Sequence, residues 1–156
     1  MGLKCGMLLV LFAVLTSSCS SRQSTSDSQT ATTVEIRLAA GEARSGFLTM
    51  VIPGTGEPIY VSPDAILSNG DIRSAQSVLD GRGRPAVEVL LNSRGTEKFA
   101  RFTSEHIGEM AAILVGGVVT SAPVIRAQIT DGRAIIDGEF TEEEARDLAR
   151  SIVLFE

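Results

Sequence analysis

Apolar and polar residues alternate along two stretches of this 156-residue chain, and the alternation predicts two half-buried β-strands. The stretches are Val34–Ala39 (VEIRLA) and Ala86–Leu91 (AVEVLL). A two-residue period places every second side chain on the core face of a sheet. Between them, residues 51–58 contain glycine and proline and predict a loop, and residues 59–61 predict a short extended run. Residues 68–80 predict a short helix or a turn.

Apolar residues at helical spacing predict a helix that begins after Asn92 and Ser93 and ends at Gly108. Asn92 and Ser93 suit a helix cap, and glycine ends a helix readily because it adopts a positive φ angle. One face of this helix is expected to pack on the sheet through its two phenylalanines. That face consists of Phe99, Phe102, Thr103, His106 and Ile107.

A second helix is predicted near the C-terminal end, where Thr141 and Glu144 form a capping box. Phe140 precedes the cap and is placed to pack against Ala145. The acidic run 142–144 favours the positive end of the helix dipole. The buried stripe of this helix is predicted to contain Ala145, Leu148, Ala149 and Ile152.

Two apolar runs, Glu109–Val115 and Val118–Ile125, are separated only by Gly116 and Gly117, which predicts a tight β-hairpin. Glycine accepts the positive φ angles that a two-residue hairpin turn requires. A further strand is predicted at residues 132–138, so that three successive strands meet here. Strands followed and interrupted by two or three helices predict an α+β fold, with a mixed or antiparallel sheet and the helices packed on it.

The first 18 residues have the layout of a secretory signal peptide. Lys4 precedes an apolar core from Met7 to Leu15, which is short for a permanent membrane-spanning helix, and small residues follow it. The cleavage end resembles a bacterial lipobox, in which a cysteine after a leucine and two small residues receives diacylglycerol. Here Thr16 takes the usual place of the leucine, and Cys19 is the predicted lipidation site and new N-terminus.

Cysteine usage and the residues after Cys19 fit an exported, lipid-anchored protein. The chain has two cysteines, and Cys5 leaves with the signal peptide, so no disulfide is expected; a free exported thiol would be open to oxidation. Residues 19–33 are polar after the cysteine and predict a disordered tether. The folded domain, 34–156, is then expected to lie on a cell membrane or an outer membrane, facing the periplasm or the cell exterior.

The predicted domain is large enough to bury a core without a metal ion or a disulfide. Once Lys4 is removed with the signal peptide, thirteen basic and nineteen acidic residues remain, a net charge of about −6, which argues against nucleic acid as a partner. Its glycines are scattered at turns and form no phosphate-binding loop. No cofactor is expected.

Ser121 lies between apolar runs and near glycines, so it is a candidate nucleophile. No Gly-x-Ser-x-Gly elbow surrounds it, and the chain has one histidine, His106, which is expected near a helix C-terminus. A triad assembled in space stays open, but we interpret Ser121 as a turn or edge residue and predict no catalytic residue.

One histidine and no mature cysteine leave only carboxylates for a metal, so no metal site is predicted. Three acids beside turn glycines are interpreted as solvated turn residues: Asp131, Asp137 and Glu139.

The stretch Ala112–Ala149 resembles the head subdomain of the first periplasmic domain in the SecD and SecDF family, membrane components that assist protein export by the Sec translocon. Residues 86–108 and 59–75 are similar to the family's preceding segments. A signature loop of Ser121, Ala122 and Pro123 is part of the resemblance. The matching residues are Ala112, Ile113, Gly117, Val119, Ser121, Ala122, Pro123, Val124, Ile125, Ile129, Gly132, Ala134, Ile136, Gly138, Phe140, Thr141, Glu143, Glu144, Ala145, Leu148 and Ala149.

The resemblance implies a head-like α+β fold and a non-catalytic binding module that contacts unfolded exported polypeptides or components of the Sec translocon. His106 and Gly116 depart from the family's usual asparagine and aspartate. The sequence shows no counterpart of the family's base subdomain or of the membrane helices tied to proton flow, so this chain alone is not expected to be a proton-driven translocase. An alternative stays open: an envelope interaction lipoprotein that reuses the fold without a role in export.

Overall fold

The computed structural model describes residues 31–153, so the predicted signal peptide, the lipidation site Cys19 and most of the tether lie outside the described residues. The described part is an α+β domain whose strand pairs are all antiparallel. The elements follow the chain in this order: β1 (Val34–Ala40), β2 (Leu48–Val51), β3 (Pro58–Leu67), a 3-10 helix (Asn69–Asp71), β4 (Ile72–Leu79), β5 (Pro85–Leu91), α1 (Ser93–Glu105), β6 (Met110–Val115), β7 (Val118–Ser121), β8 (Arg133–Ile136) and α2 (Glu142–Ile152).

The strands form two sheets. The large sheet has five strands in the order β2-β3-β1-β6-β7, and the small sheet has three in the order β4-β5-β8. The β2–β3 loop, at residues 52–55, lines the same cavity as β7 at the opposite edge of the large sheet. The large sheet therefore curls, as a right-handed twist accumulated over five strands favours.

The main core lies where the two sheets and both helices meet. It combines Ile36 and Ile113 of the large sheet with Val87 of the small sheet, and Phe99 of α1 with Leu148 of α2. Burying such side chains contributes about 1.5–3 kcal/mol each, which is the main force holding the sheets together. A smaller core fills the other face of the large sheet and contains Ala39, Ile59, Val61, Ala112, Leu114 and Val119.

Helix α2 follows the sequence prediction closely. Thr141 Oγ1 accepts the Glu144 N–H at 3.2 Å, and the Glu144 carboxylate accepts the Thr141 N–H at 2.8 Å, so the predicted capping box is present. The predicted stripe from Ala145 to Ile152 is buried against β4 and β5, and Phe140 packs on the same core.

Helix α1 begins as predicted, with the Asn92 side chain accepting the Gly95 N–H at 2.9 Å, but its apolar face is shorter than predicted. Phe99, Phe102 and Thr103 are buried. Ile107 is exposed, because the helix ends at Glu105 and a turn with a positive φ at Gly108 carries the chain away.

The prediction of a short helix or turn over residues 68–80 was wrong beyond Asp71, since residues 72–79 form strand β4. The apolar positions Ile72, Ala75, Val78 and Leu79 match a helical spacing as well as a strand. Pairing with β5 across the 80–84 turn decides in favour of the strand, which is tertiary context overriding local pattern.

The predicted hairpin at Gly116 and Gly117 is confirmed, with φ angles of 58° and 81° that suit a two-residue turn. The prediction that three successive strands meet after it was wrong. β6 pairs with β7, but β8 pairs with β5 in the other sheet. Residues 122–132 therefore cross from one sheet to the other, and this crossing creates the cavity described next.

Candidate functional site

The signature loop, Ser121, Ala122 and Pro123, begins where edge strand β7 ends. Ser121 is the last residue of β7 and pairs with Ile113. Beyond it the chain turns back along β6, where the Pro123 carbonyl accepts the Ala111 N–H at 2.9 Å. Pro123 has no N–H to donate, so it suits a position where only its carbonyl pairs.

Residues 123–125 form a short second ladder beside the start of β6. The Ile125 N–H donates to the Glu109 carbonyl at 2.8 Å, and its carbonyl accepts the Gly108 N–H at 2.8 Å. Because alternate residues of an extended chain point their main-chain groups to opposite sides, those of Val124 point away from β6. Val124 is 48% exposed.

An open apolar groove of about 420 Å³ separates this segment from β8. One wall is residues 123–127 and the other is residues 133–135 of β8. The floor consists of core side chains that include Ile36, Phe99 and Ile113. Such a volume lies within the range of small-ligand pockets, so we refer to this feature as the apolar groove.

Thr103 of α1 holds the far end of the crossing segment in place. Its Oγ1 donates to the Phe99 carbonyl at 2.8 Å and accepts the Ile129 N–H at 2.9 Å. Gln128 also donates to the Ala100 carbonyl at 3.3 Å. At this end the crossing segment is therefore held on α1 by hydrogen bonds between side chains and main chain.

Two arginines, Arg126 and Arg133, line the apolar groove and make its rim positive in an acidic protein. Arg133 pairs with Glu88 at 3.2 Å, and Glu88 also accepts a hydrogen bond from Gln76 at 2.7 Å. Arg126 makes no ion pair with any residue in the 31–153 range. Its charge is thus free to act on whatever occupies the groove.

A second cavity, of about 580 Å³, lies beside Ser121 between the β2–β3 loop and residues 137–140. It is lined by polar groups that include Arg84, Asp137 and Glu139. The Ser121 Oγ is buried and has no hydrogen-bond partner among residues 31–153. No side chain of these described residues is hydrogen-bonded to the hydroxyl in the position of a general base.

His106, the candidate partner of Ser121 in a triad, is engaged elsewhere. Its Nδ1 lies 2.8 Å from Glu109 Oε2, and its ring packs on Phe102 with centroids 5.0 Å apart. Arg44 donates to the other oxygen of Glu109 at 3.1 Å. That hydrogen bond and the one from His106 hold the pKa of Glu109 below its usual range against partial burial. The cluster links α1 to the start of β6.

Of the three acids considered from the sequence, Asp137 and Glu139 line the cavity beside Ser121, whereas Asp131 does not. Asp131 accepts the Arg133 N–H at 3.2 Å, as an ordinary turn residue does. Within the described residues, no three His, Cys, Asp or Glu side chains are grouped so as to hold a metal ion.

The groove residues Arg126, Arg133 and Ile135 were not among the candidates predicted from the sequence. The available signal was that apolar Val124 and Ile135 each lie two positions from an arginine, Arg126 and Arg133. The groove itself depends on the crossing between sheets, which no local pattern encodes.

The fold and the groove together define an antiparallel α+β head domain with an apolar cleft beside a free sheet edge. The chain belongs to the family of the SecDF P1 head subdomain, which matches residues 45–153.

Relatives and solved structures agree with this assignment. The chain is 46% identical over 92 residues to the protein translocase subunit SecD of Magnetococcus marinus, and 44% identical over 93 residues to that of Aquifex aeolicus. These matches cover 59% and 60% of this chain but 18% of each relative. A solved structure of SecDF, a membrane component that enhances protein export, superposes with a TM-score of 0.64 at 26% identity, covering 80% of this chain and 63% of the solved one.

The α+β fold and the family expected from the sequence are thereby confirmed. The chain spans less than a fifth of the length of the curated relatives it matches. Neither of the α-helices described between residues 31 and 153 has the length and apolar character needed to cross a membrane.

Proposed function

We propose that this domain is a non-catalytic module that binds unfolded polypeptides during their export, on the outer side of a membrane. The observation that carries the proposal is the apolar groove, which opens beside Val124 and Ile135. Exposed apolar side chains that border a concave apolar surface mark a binding site. The relatives are subunits of a protein translocase, which supports an exported polypeptide, or a component of the Sec translocon, as the partner.

The geometry suits a transient contact. The groove is open to solvent, so a chain segment can enter from the side and leave again without threading. An unfolded segment exposes the apolar side chains that the floor at Phe99 and Ile113 accepts. It also loses conformational entropy on binding, which keeps affinity per unit area low. Low affinity is what a module that must release its substrate requires.

We further propose that a lipid at Cys19 anchors the domain, after cleavage of residues 1–18, and that residues 19–33 act as a tether. A flexible chain of that length has a root-mean-square reach of about 20 Å, which keeps the groove near the membrane surface. Replacement of Cys19 by alanine should abolish lipid incorporation and release the protein from membranes. Continued labelling with a fatty acid would show that the anchor has been misplaced.

Site-specific photo-crosslinking in cells tests the proposed function. A photoreactive phenylalanine analogue at Val124 should crosslink to an export-arrested polypeptide. The same analogue at Leu79, an equally apolar and 64% exposed position outside the groove, is the matched control. Equal crosslinking from both positions would contradict a specific site. Crosslinks from Val124 to a folded envelope protein in place of exported chains or translocon subunits would favour the interaction lipoprotein.

A further inference from the structure

Strand β8 has an unpaired edge that faces the apolar groove. In the described part of the chain, β8 pairs only with β5, and the Leu91 N–H donates to the Gly132 carbonyl at 2.8 Å. In the same register, Ala134 lies opposite Val89 and Ile136 lies opposite Val87, and both exchange hydrogen bonds with β5. The main-chain groups of Arg133 and Ile135 therefore point away from β5, along the groove wall.

The opposite wall has the same property. Residues 123 and 125 bond to the start of β6, so the Val124 main-chain groups point away from β6. Neither Val124 nor Ile135 has a main-chain hydrogen bond to another residue in the 31–153 range. The Arg133 N–H is accepted by the Asp131 carboxylate, which leaves its carbonyl available. The groove thus separates two strand edges whose outer hydrogen-bonding groups are unpaired.

We propose that the groove binds an extended polypeptide segment as an added β-strand, paired with the free edge of β8 in the gap between β8 and Val124. This rests on the proposed function and specifies how the polypeptide is held. Main-chain hydrogen bonds provide affinity for any sequence. Alternate side chains of the added strand face inward and enter the apolar floor.

The two edges and the floor together select this occupant. A helix satisfies its own main-chain groups and is about 10–12 Å wide, so it would leave both edges unpaired. An unfolded polypeptide presents an N–H and a carbonyl at almost every residue, which matches what Ile135 and Val124 lack. The unpaired charge of Arg126 at the rim adds a preference for neutral or acidic segments over basic ones.

The proposal predicts that binding depends on the backbone of the peptide. The probe is a fluorescein-labelled ten-residue peptide of alternating valine and serine, titrated into the purified full chain and followed by fluorescence anisotropy. N-methylation of every second residue of the peptide removes the donors that face one edge. Loss of two or more hydrogen bonds should weaken binding about tenfold or more. This comparison requires no change in the protein.

The matching change in the protein is Ile135→Pro. It removes an N–H that points away from β5, so the native ladder stays intact, as for other prolines on edge strands. Ile135→Val, which keeps the N–H and an apolar side chain, is the control. We expect Ile135→Pro to weaken peptide binding about tenfold and Ile135→Val to leave it within about twofold. If thermal unfolding shows that Ile135→Pro does not fold, the comparison of the unmodified and N-methylated peptides tests strand addition on its own.

The outcomes are distinguishable. If both the N-methylated peptide and Ile135→Pro bind as well as their references, strand addition is wrong while the proposed binding function stands. If the unmodified peptide does not bind at all, both are wrong. If the full chain forms a dimer that Ile135→Pro abolishes and that excludes the peptide, a second copy occupies the β8 edge and the proposal is overturned.

Discussion

Lys98 donates hydrogen bonds to both carboxylate oxygens of Asp71, at 3.1 Å to Oδ1 and 3.0 Å to Oδ2. Arg94, one turn earlier on α1, donates to Oδ1 at 3.0 Å and to the Gly70 carbonyl at 2.9 Å. The Asp71 side chain is only 2% exposed. One buried carboxylate therefore ties the 3-10 helix that precedes β4 to the first turns of α1.

Replacing Asp71 by asparagine should destabilise the domain by about 2 kcal/mol. The change keeps the size of the side chain but removes the charge that two cations share. Hydrogen bonds to a charged group contribute about 1.5–3 kcal/mol. The lower part of that range applies because the side chains of Arg94 and Lys98 are 66% and 45% exposed, so water screens their charges. Urea unfolding of the full chain measures the effect. Arg150→Gln, which alters only an exposed pair on α2, should change stability by less than about 0.5 kcal/mol.

The same carboxylate should make stability depend on acid pH. Burial opposes ionisation of Asp71, but hydrogen bonds from Lys98, the Ser68 N–H and Arg94 outweigh it and hold its pKa below the usual value. Asp71 therefore binds protons less readily in the folded state than in the unfolded state, where its pKa is about 3.9. Its contribution is complete above that pH and is lost as the pH falls through the folded-state pKa.

Unfolding free energies at pH 6 and at pH 3 and below, measured for the wild type and Asp71→Asn, test this dependence. The difference in unfolding free energy between the two proteins should narrow as the pH falls and Asp71 becomes protonated. The other carboxylates are common to both proteins, so they do not contribute to this difference. A gap that stays constant down to the lowest pH at which the wild type folds would contradict a stabilising, ionised Asp71.

Gly95→Ala should destabilise the protein, although alanine normally favours a helix by about 1 kcal/mol over glycine. A Cβ at Gly95 would collide with the main-chain oxygen of Asp71 and approach its Cβ to 2.9 Å. Relieving that overlap requires α1 to move away from the Asp71 turn, and overpacking of this kind costs about 1–3 kcal/mol. Thermal unfolding is the measurement. Gly81→Ala, where a Cβ meets nothing within 4 Å, should be neutral or slightly stabilising.

The two hairpin glycines should respond differently to substitution. Gly117→Ala forces a side chain into φ 81°, a conformation that costs an L-residue about 1–2 kcal/mol. Gly116→Asn, at φ 58°, introduces the residue that two-residue hairpins prefer before glycine and should change stability by less than about 0.5 kcal/mol. Urea unfolding measures the stability of both variants. A larger loss of stability in Gly116→Asn than in Gly117→Ala would contradict the hairpin geometry.

Local sequence pattern predicted the elements whose periodicity and end signals agree. Strand β1 alternates as predicted, and α2 has its capping box and its apolar stripe in register. Strand β5 forms, but the prediction that it is half-buried was wrong: residues 86–89 are all buried, because Gln76 of β4 and Arg133 of β8 contact Glu88 on the polar face. Strand β4 was not predicted, because its apolar residues fit a helix as well as a strand. Only pairing with β5 decides between the helix and the strand. In β1 and α2 the local pattern and the tertiary contacts favour the same structure. In β4 the local pattern is ambiguous, and the tertiary contacts alone determine the structure.

The candidate site was less predictable for a physical reason. Residues 122–132 leave the large sheet and reach the small one, and contacts such as the Ile129 N–H to Thr103 Oγ1 hold them across α1. These contacts join residues 26 positions apart, so no local pattern encodes them. The signature loop was visible in the sequence, whereas the groove it borders is a product of the assembled fold.

Filling the apolar groove should block binding without unfolding the domain. Ala127 lines the groove and is exposed, so a leucine at this position would occupy open volume rather than packed core. Overpacking a closed core costs about 1–3 kcal/mol, but here we expect less than about 1 kcal/mol, since the position is exposed. Ala127→Leu should weaken binding of the alternating valine–serine peptide at least tenfold by anisotropy. Ala65→Leu, the same change at an exposed position on β3, should bind as the wild type does. Wild-type affinity in Ala127→Leu, with the fold intact, would place the binding site elsewhere on the domain.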